Sequence, residues 1–170
     1  KVSGGQAEKV NGYGDTKTTI TPVKEPLNDA NTHFINNQEW TIYADGTVVC
    51  QSVLLPRGNP LELLRLGYEF QFPANLGNVA YYGRGPEENY ADRKSGMPLG
   101  VYKTTAKDSF FPYGRPQDCG NHEDTRWVAV TDDKGQGLLF GSLGTPFAFS
   151  AIPYTTTELI LANHPVELPK

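Results

Sequence analysis

The stretch that decides the fold runs from residue 79 to residue 93 and reads VAYYGRGPEENYADR. Its first four residues are β-branched, small or aromatic, which predicts a short strand. Gly83 and Gly85 then permit backbone angles that other residues avoid, and Pro86 lacks the N–H that a strand ladder needs. We therefore expect the strand to end in a rigid corner that gathers charged, amide and phenolic side chains behind it.

A second polar block follows about thirty residues later, at residues 115–127, and reads RPQDCGNHEDTRW. Like the first block, it combines charges of both signs with glycine and aromatic residues. Such a mixture is too irregular to predict a single strand or helix. A chain that needed only to fold would seldom concentrate so many polar groups in so short a length, which indicates a binding or interface role for both blocks.

The segments around the two blocks predict strands joined by tight turns. Residues 40–44 and 47–50 flank Asp45-Gly46, a pair typical of a two-residue type I′ hairpin turn. Alternation at Tyr68, Phe70 and Phe72 favours a strand. Further strands are expected at 101–105, 127–131, 138–140 and 147–150, with a turn at 132–137.

One helix start is credible, because Thr155-Thr156-Thr157-Glu158 matches a capping box. Since hairpin turns rather than long helices separate the strands, we expect an all-β, antiparallel super-sandwich with at most one or two short helices. We divide the chain into a poorly ordered or edge-strand lead-in at 1–37 and a β-sandwich domain at 38–170.

Composition limits the function classes. With 18 glycines, 13 prolines and 38% hydrophobic residues, the chain fits a turn-rich β protein. A net charge of −4 without a basic run argues against nucleic-acid binding, and no apolar run reaches the roughly 18 residues that span a membrane. Cysteines at 50 and 119 are expected to be unpaired thiols, with Cys50 buried. They do not distinguish a cytoplasmic from a periplasmic location.

The first block admits two interpretations. Its guanidinium, carboxylate, amide and phenol groups suit sugar hydroxyls. Alternatively, it forms a self-contained network in which Arg84 or Arg93 pairs with Asp92 or Glu87. Glu87 and Glu88 are adjacent in sequence, which does not predict the facing carboxylates of a glycosidase.

In the second block, His122 is the titratable group of most interest, because a histidine beside carboxylates can act as a general base. The commoner alternative is a loop histidine whose ring nitrogens bond a neighbouring group. Trp127 is either a stacking surface for a sugar or a core residue, and we expect the core role. No metal-ligand spacing is present in the sequence.

The string Tyr-Gly-Arg-Gly-Pro-x-Glu-Asn-Tyr-x-Asp-Arg at 82–93 resembles the signature of the C-terminal domain of glycoside hydrolase family 2 β-galactosidases. The segments 55–72, 112–127 and 153–168 are similar to further parts of that domain, in the same order. The resemblance covers roughly residues 38–170. It implies a galactose-mutarotase-like sandwich that packs on a separate catalytic (β/α)8 barrel and shapes the rim of the sugar site.

The resemblance implies no catalytic residue in this chain, because the family's catalytic glutamates belong to the barrel. It implies instead a fragment of a larger enzyme, with the barrel and other domains as partners, a galactoside as a possible ligand and a homo-oligomer as a possible assembly. No cofactor is expected here, although the parent enzyme could use a divalent metal. A free-standing carbohydrate-binding module and, less favoured, an aldose epimerase are the alternatives.

The candidates for carbohydrate or interface binding share a place in one of the two polar blocks. They are Arg84, Glu87, Asn89, Tyr90, Asp92, Arg93, Asn121, His122, Asp124, Arg126 and Trp127.

Overall fold

A computed structural model describes residues 16–20, 33–58 and 66–169. The chain divides into two compact units, residues 1–67 and residues 68–170. The described residues form nine strands, all paired antiparallel, together with one α-helix and one 3-10 helix. The all-β, antiparallel class with one or two short helices is therefore confirmed.

The first unit contains a three-stranded sheet in the order β1-β2-β3. Its strands are β1 (Thr16–Ile20), β2 (His33–Ile42) and β3 (Val48–Arg57). The predicted hairpin exists as β2 and β3, but β2 begins at His33, ahead of the domain boundary drawn at 37/38. That boundary stays a prediction.

The hairpin turn differs from the predicted two-residue type. The Tyr43 N–H donates to the carbonyl of Thr47 at 2.8 Å, and the Gly46 N–H donates to the carbonyl of Tyr43 at 3.1 Å. Gly46 has a φ of +89°, whereas Asp45 has no positive φ. The Asp45 carboxylate instead accepts from the Thr47 N–H. The loop is therefore a type I turn closed by a left-handed glycine, which is typical of three-residue hairpin loops.

The expectation that Cys50 is buried is wrong. Cys50 lies exposed on β3, whereas Cys119 in the second unit is fully buried. The apolar neighbours of Cys50 in sequence suggested a core position, but β3 is largely exposed along its length. Both cysteines are free thiols, as predicted.

The second unit is built on a four-stranded sheet in the order β5-β4-β7-β8. Its strands are β4 (Asn78–Arg84), β5 (Leu99–Thr105), β7 (Trp127–Thr131) and β8 (Gly137–Gly141). A two-stranded ribbon of β6 (Asn121–Thr125) and β9 (Phe147–Ser150) accompanies it. The predicted turn at 132–137 joins β7 to β8, with Gly135 at a φ of +78°.

The main core of this unit lies between the four-stranded sheet and the ribbon. Tyr102, Tyr81, Val128 and Phe140 are cross-strand neighbours on one face of the sheet. Phe149 of the ribbon packs on that row, with its ring 5.1 Å from the ring of Tyr81. Side chains alternate between the two faces of a strand, so this face is the buried one and the unit is a two-layer sandwich.

A second, smaller core forms around the C-terminal segment. Helix α1 (Thr156–Leu161) begins with the predicted capping box, because the Glu158 N–H donates to the Thr155 hydroxyl while the Glu158 carboxylate accepts from the Thr155 N–H. Leu159 of this helix is buried with Ala162 and Leu168, the residue after a 3-10 turn at Pro165–Glu167. The capping box therefore fixes the start of the helix, and the helix covers the apolar side chains of this small core.

The strand predicted from Tyr68, Phe70 and Phe72 is absent, since residues 66–72 have no regular secondary structure. The rings of Phe70 and Phe72 instead lie 5.1 and 6.0 Å from that of Phe140. Alternating aromatic residues can therefore mark a segment that packs on a sheet through its side chains without joining the ladder.

Candidate functional site

The first polar block begins inside a strand. β4 continues through Arg84, two residues beyond the predicted end. Neither Gly83 nor Gly85 has a positive φ, so the predicted need for unusual backbone angles is wrong. The glycines are required for space, because a Cβ on Gly83 would lie 2.5 Å from the Thr125 hydroxyl, and one on Gly85 would lie 2.4 Å from the Tyr81 hydroxyl.

The second polar block contains a strand that its composition did not predict. β6 pairs with β9, and its register shifts between His122 and Thr125. Two residues, Glu123 and Asp124, occupy the shift, and Asp124 has a φ of +51°. Extra residues in one strand re-aim its side chains, and here they direct both carboxylates toward Lys94 of the first block.

Asn89 connects the two blocks. Its side chain is fully buried, and its amide donates to the carbonyls of Arg84 and Glu87 at 3.1 and 3.0 Å. Its side-chain oxygen accepts from the N–H of Glu123 at 2.9 Å. Both amide hydrogens and the oxygen therefore have partners, which is what a buried asparagine requires.

Asn121 completes this connection from the other side. The Asn89 N–H donates to the Asn121 carbonyl at 2.7 Å, and the Asn121 side-chain amide donates to the Asn89 carbonyl at 2.7 Å. The two asparagines are thus joined by reciprocal hydrogen bonds between chain segments about thirty residues apart.

A cation pair holds Asp124. The Arg84 Nε lies 2.5 Å from the Asp124 carboxylate, and the Lys94 Nζ lies 3.0 Å from its other oxygen. The same guanidinium donates to the carbonyls of Met97 and Lys94. The hydrogen bonds from Arg84 and then Lys94 lower the pKa of Asp124, because both favour the charged carboxylate.

Glu88 is the acceptor at the centre of a second cluster. Its carboxylate accepts from the Tyr113 hydroxyl, from Arg93 at 2.8 Å and from the Gly120 N–H at 2.8 Å. Burial by itself would raise the pKa of Glu88, but the hydrogen bonds from Tyr113, Gly120 and Arg93 outweigh it, so the pKa is lowered.

The ion pairs within the blocks therefore differ from those predicted. Arg84 pairs with Asp124, and Arg93 pairs with Glu88, whereas Asp92 and Glu87 were the expected partners and both lie exposed. The prediction that a network holds the loop agrees with these contacts, but the network crosses between the blocks instead of closing within the first one.

His122 lies on strand β6, not in a loop, and is only 4% exposed. Its ring packs on Tyr81 and Phe149, with ring centres at 4.3 and 5.2 Å. Its Nδ1 lies 3.0 Å from the Arg84 carbonyl, and a carbonyl can only accept, so Nδ1 carries the hydrogen. Burial lowers the pKa of His122 below its ordinary value.

A shallow surface depression of about 280 Å³ lies beside the Glu88 cluster. Its lining combines aromatic, amide, carboxylate and guanidinium groups, supplied by Tyr90, Asp92, Arg93, Tyr113, Gln117 and Asp118. The Arg93 guanidinium lies 4.6 Å from the centre of the Tyr90 ring and covers one of its faces. Three candidates from the first block, Tyr90, Asp92 and Arg93, therefore line this depression.

Arg126 and Trp127 lie apart from the depression. Trp127 is half-buried and opens β7, where it pairs with Tyr82, which belongs to the face opposite the core row. The expectation that Trp127 packs in the core is therefore wrong, because the strand parity places Val128 there. Arg126 lies over the Tyr82 ring at 5.5 Å, and its guanidinium also donates to the Asp124 carbonyl.

The structure thus brings together Arg84, Asn89, Asn121 and Asp124, and it places His122 directly beside them. Sequence reasoning missed Glu88, Lys94 and Tyr113, which make many of the hydrogen bonds and ion pairs in the two clusters. The adjacent pair Glu87-Glu88 held the signal for one of them, but composition does not reveal which of two neighbours turns inward.

The described residues contain no group of three or more histidine, cysteine or acidic side chains placed to hold a metal ion. The divalent metal allowed for the parent enzyme therefore finds no fitting donor set among residues 16–20, 33–58 and 66–169. Within these same ranges, no helix combines the length and apolarity needed to cross a membrane.

Comparison with known proteins identifies the class to which this arrangement belongs. The family described as Beta galactosidase small chain matches residues 3–170. The chain belongs to this family, as its two polar blocks predicted.

Individual relatives agree with the family assignment. A β-galactosidase of Priestia megaterium is 39% identical over 130 residues, covering 76% of this chain and 12% of the relative. The β-galactosidase BgaC of Bifidobacterium adolescentis is 49% identical over 106 residues, covering 61% of this chain and 10% of the relative. A β-galactosidase small subunit of Latilactobacillus sakei is 36% identical over 140 residues, covering 76% of this chain and 43% of the relative. The chain thus spans about a tenth of the first two relatives and under half of the third.

Proposed function

We propose that this chain is the non-catalytic part of a β-galactosidase, which hydrolyses terminal β-galactosides with a catalytic barrel that this chain packs against. The single observation that carries the proposal is the inward use of the polar blocks. Arg84 pairs with Asp124, and the Asn89 side chain bonds to the backbone. Glu88 accepts from Tyr113, from Arg93 and from the Gly120 N–H. Such a network holds a surface in shape, and it leaves these groups unsuited to acid–base chemistry.

The family match supports the proposal independently of the hydrogen-bond network. Relatives of this chain include β-galactosidases in which the matched part is about a tenth of the length, and a separate small subunit. Related segments therefore occur both within long enzymes and as part of a small subunit. The galactose-mutarotase-like form of the sandwich and the domain boundary at 37/38 belong to the same proposal.

The rim role rests on the depression beside Glu88. Tyr113, Arg93 and Gly120 are fixed to one carboxylate, so the residues around them present a preorganised edge. Asp92, Gln117 and Asp118 offer hydrogen-bonding groups of the kind that sugar hydroxyls accept and donate to. We assign to this edge a contribution to the galactoside site. Any homo-oligomer contact and any divalent-metal site are assigned to the remainder of the enzyme.

A free-standing carbohydrate-binding module is the second candidate, because the same depression is aromatic and polar at once. The aldose epimerase alternative is weaker. It would need a base at His122, but this ring is buried between Tyr81 and Phe149 and its Nδ1 is engaged by a carbonyl.

An NMR titration of the purified chain with lactose tests these alternatives in one tube. We expect no free galactose and no large chemical-shift change in the protein. Release of galactose that is abolished by Glu87→Gln but not by Glu167→Gln would overturn the non-catalytic assignment. Saturable shifts confined to the depression, lost in Asp92→Ala, would favour the binding module.

The rim contribution needs the complete enzyme. In a hybrid β-galactosidase of Priestia megaterium that carries this chain in place of its matched segment, Asp92→Asn should raise KM several-fold and leave the thermal midpoint unchanged. Asp133→Asn, on the turn between β7 and β8, is the control. Equal KM values for the two variants would contradict the rim role.

A further inference from the structure

The four-stranded sheet of the second unit has one covered face and one open face. The covered face carries Tyr81 and Val128 and packs on the β6–β9 ribbon. Because side chains alternate along a strand, the register assigns the remaining residues to the opposite side, which we call the outer face. Its apolar members are Leu99 and Val101 on β5, Ala80 and Tyr82 on β4, Trp127 and Ala129 on β7, and Leu139 on β8. The same face also carries polar residues toward its ends, namely Asn78, Arg84, Lys103, Thr105 and Thr131.

A band of apolar residues crosses the outer face, and it is most exposed at its two edges, whereas Trp127 in its middle is half-buried. Val101 at one edge is 63% exposed and Leu139 at the other edge is 68% exposed. Tyr82 and Trp127 form a cross-strand pair between them, and the Arg126 guanidinium lies over the Tyr82 ring. Aromatic residues and arginine are the types enriched in protein–protein interfaces, and a contiguous apolar patch of this kind marks an interaction site.

The size of the outer face indicates which partner it fits. Four strands spaced about 4.8 Å apart, each five to seven residues long, give a planar area of roughly 350 Å². A stable dimer buries about 800 Å² on each partner. A dimer made through this surface alone would therefore fall well short. The small-subunit relative points to a different partner, the large chain of the enzyme, which can also contact other parts of the protein.

We propose that the outer face is the surface on which this chain docks to the large, catalytic chain of its β-galactosidase, with Tyr82 and Trp127 at the centre of the contact. The inference rests on the proposed function and adds the location of the interface.

The Latilactobacillus sakei small subunit allows a direct test, because its association with a large subunit can be measured between separate polypeptides. A hybrid small subunit would carry this chain in place of its matched residues, and it would be titrated against the tagged large subunit. We expect Val101→Asp combined with Leu139→Asp to weaken binding at least tenfold. Val166→Asp, which alters a residue 81% exposed outside the sheet, should leave the affinity unchanged.

The outcomes separate the two levels of inference. If the natural small subunit binds and the unmodified hybrid does not, the proposed function fails for this chain. If the hybrid binds and the double variant binds equally well, the outer face is not the interface. Val101→Thr with Leu139→Thr keeps the strand propensity, so weaker binding by this gentler pair, with an unchanged thermal midpoint, separates lost contact from lost folding.

Discussion

Asn89 and Asn121 exchange hydrogen bonds of 2.7 Å in both directions, one from a backbone N–H and one from a side-chain amide. The first residue follows a strand of the four-stranded sheet, and the second opens a strand of the ribbon. Because these hydrogen bonds join the two polar blocks into one structural unit, a substitution that changes a single donor or acceptor should lower the stability.

Asn89→Asp replaces a donor by an acceptor that faces the carbonyls of Arg84 and Glu87. Leaving buried polar groups unsatisfied costs roughly 1–3 kcal/mol each, so we expect the free energy of unfolding to fall by about 3 kcal/mol. Urea denaturation measures this change. Asn75→Asp, at an exposed turn position, is the control, and equal midpoints for the two variants would contradict the role assigned to Asn89.

Gly83→Ala should destabilise the second unit, because the new Cβ would lie 2.5 Å from the Thr125 hydroxyl and 3.1 Å from its Cα. Overpacking of this kind costs about 1–3 kcal/mol. Thermal unfolding is the measurement. Gly96→Ala, where no atom lies within 4 Å of the added Cβ, should behave like the unaltered protein, and a loss of similar size there would remove the steric explanation.

The cluster around Glu88 predicts acid sensitivity. Its pKa in the folded state lies below the ordinary value of 4.5, so the unfolded chain binds the proton more readily. The stabilisation is therefore present above pH 4.5 and is lost as the pH falls through the folded-state pKa. Tyr113→Phe removes one of the hydrogen bonds that lower this pKa, so it should destabilise the protein more at pH 7 than at pH 2.5.

Denaturation of Tyr113→Phe at both pH values provides the measurement. Tyr82→Phe removes a hydroxyl from the outer face of the sheet and serves as the control. A destabilisation by Tyr113→Phe that is the same at both pH values would mean that the hydroxyl does not favour the charged form of Glu88.

His122 predicts a separate dependence at milder pH. Burial lowers its pKa below the ordinary value of 6.5, so the unfolded state takes up a proton first as the solution is acidified. Its contribution to stability is complete above pH 6.5 and declines as the pH falls toward the folded-state pKa. We expect His122→Gln to reduce the difference in unfolding free energy between pH 7 and pH 5.

His164→Gln, which alters an exposed residue before the 3-10 turn, is the matched variant for this test. Unfolding curves at the two pH values, recorded for both variants, would decide the matter. If His164→Gln and His122→Gln change the pH dependence alike, the buried ring is not its source.

Much of the fold could be predicted because local signals agreed with the tertiary structure. The capping box at Thr155–Glu158 formed as its spacing requires, and the strands around Val128 and Phe149 followed their alternation. Strand β6 could not be predicted, because the sequence Asn-His-Glu-Asp-Thr has no apolar alternation. Its polar groups are satisfied by Asn89 and Arg84, and such partners are visible only when distant segments are folded together.

The candidate site shows the same limit. The two blocks were recognised as candidate binding segments. The pairing of Arg84 with Asp124, however, depends on a register shift within β6 that no residue pattern predicts. The identities of Gly83 and Gly85 were also noticed, yet the reason given was conformational, whereas the structure requires them for close contact with Thr125 and Tyr81.

The reciprocal hydrogen bonds between the blocks have a consequence for recombination among β-galactosidases. A crossover placed anywhere between Lys94 and Gly120 would join the first block of one parent to the second block of another. Where the two parents do not both carry asparagine at positions 89 and 121, the hydrogen bonds between the blocks would be lost, and we expect the hybrid domain to be less stable. Exchanges that carry residues 84–126 together should keep the hydrogen bonds between the two blocks.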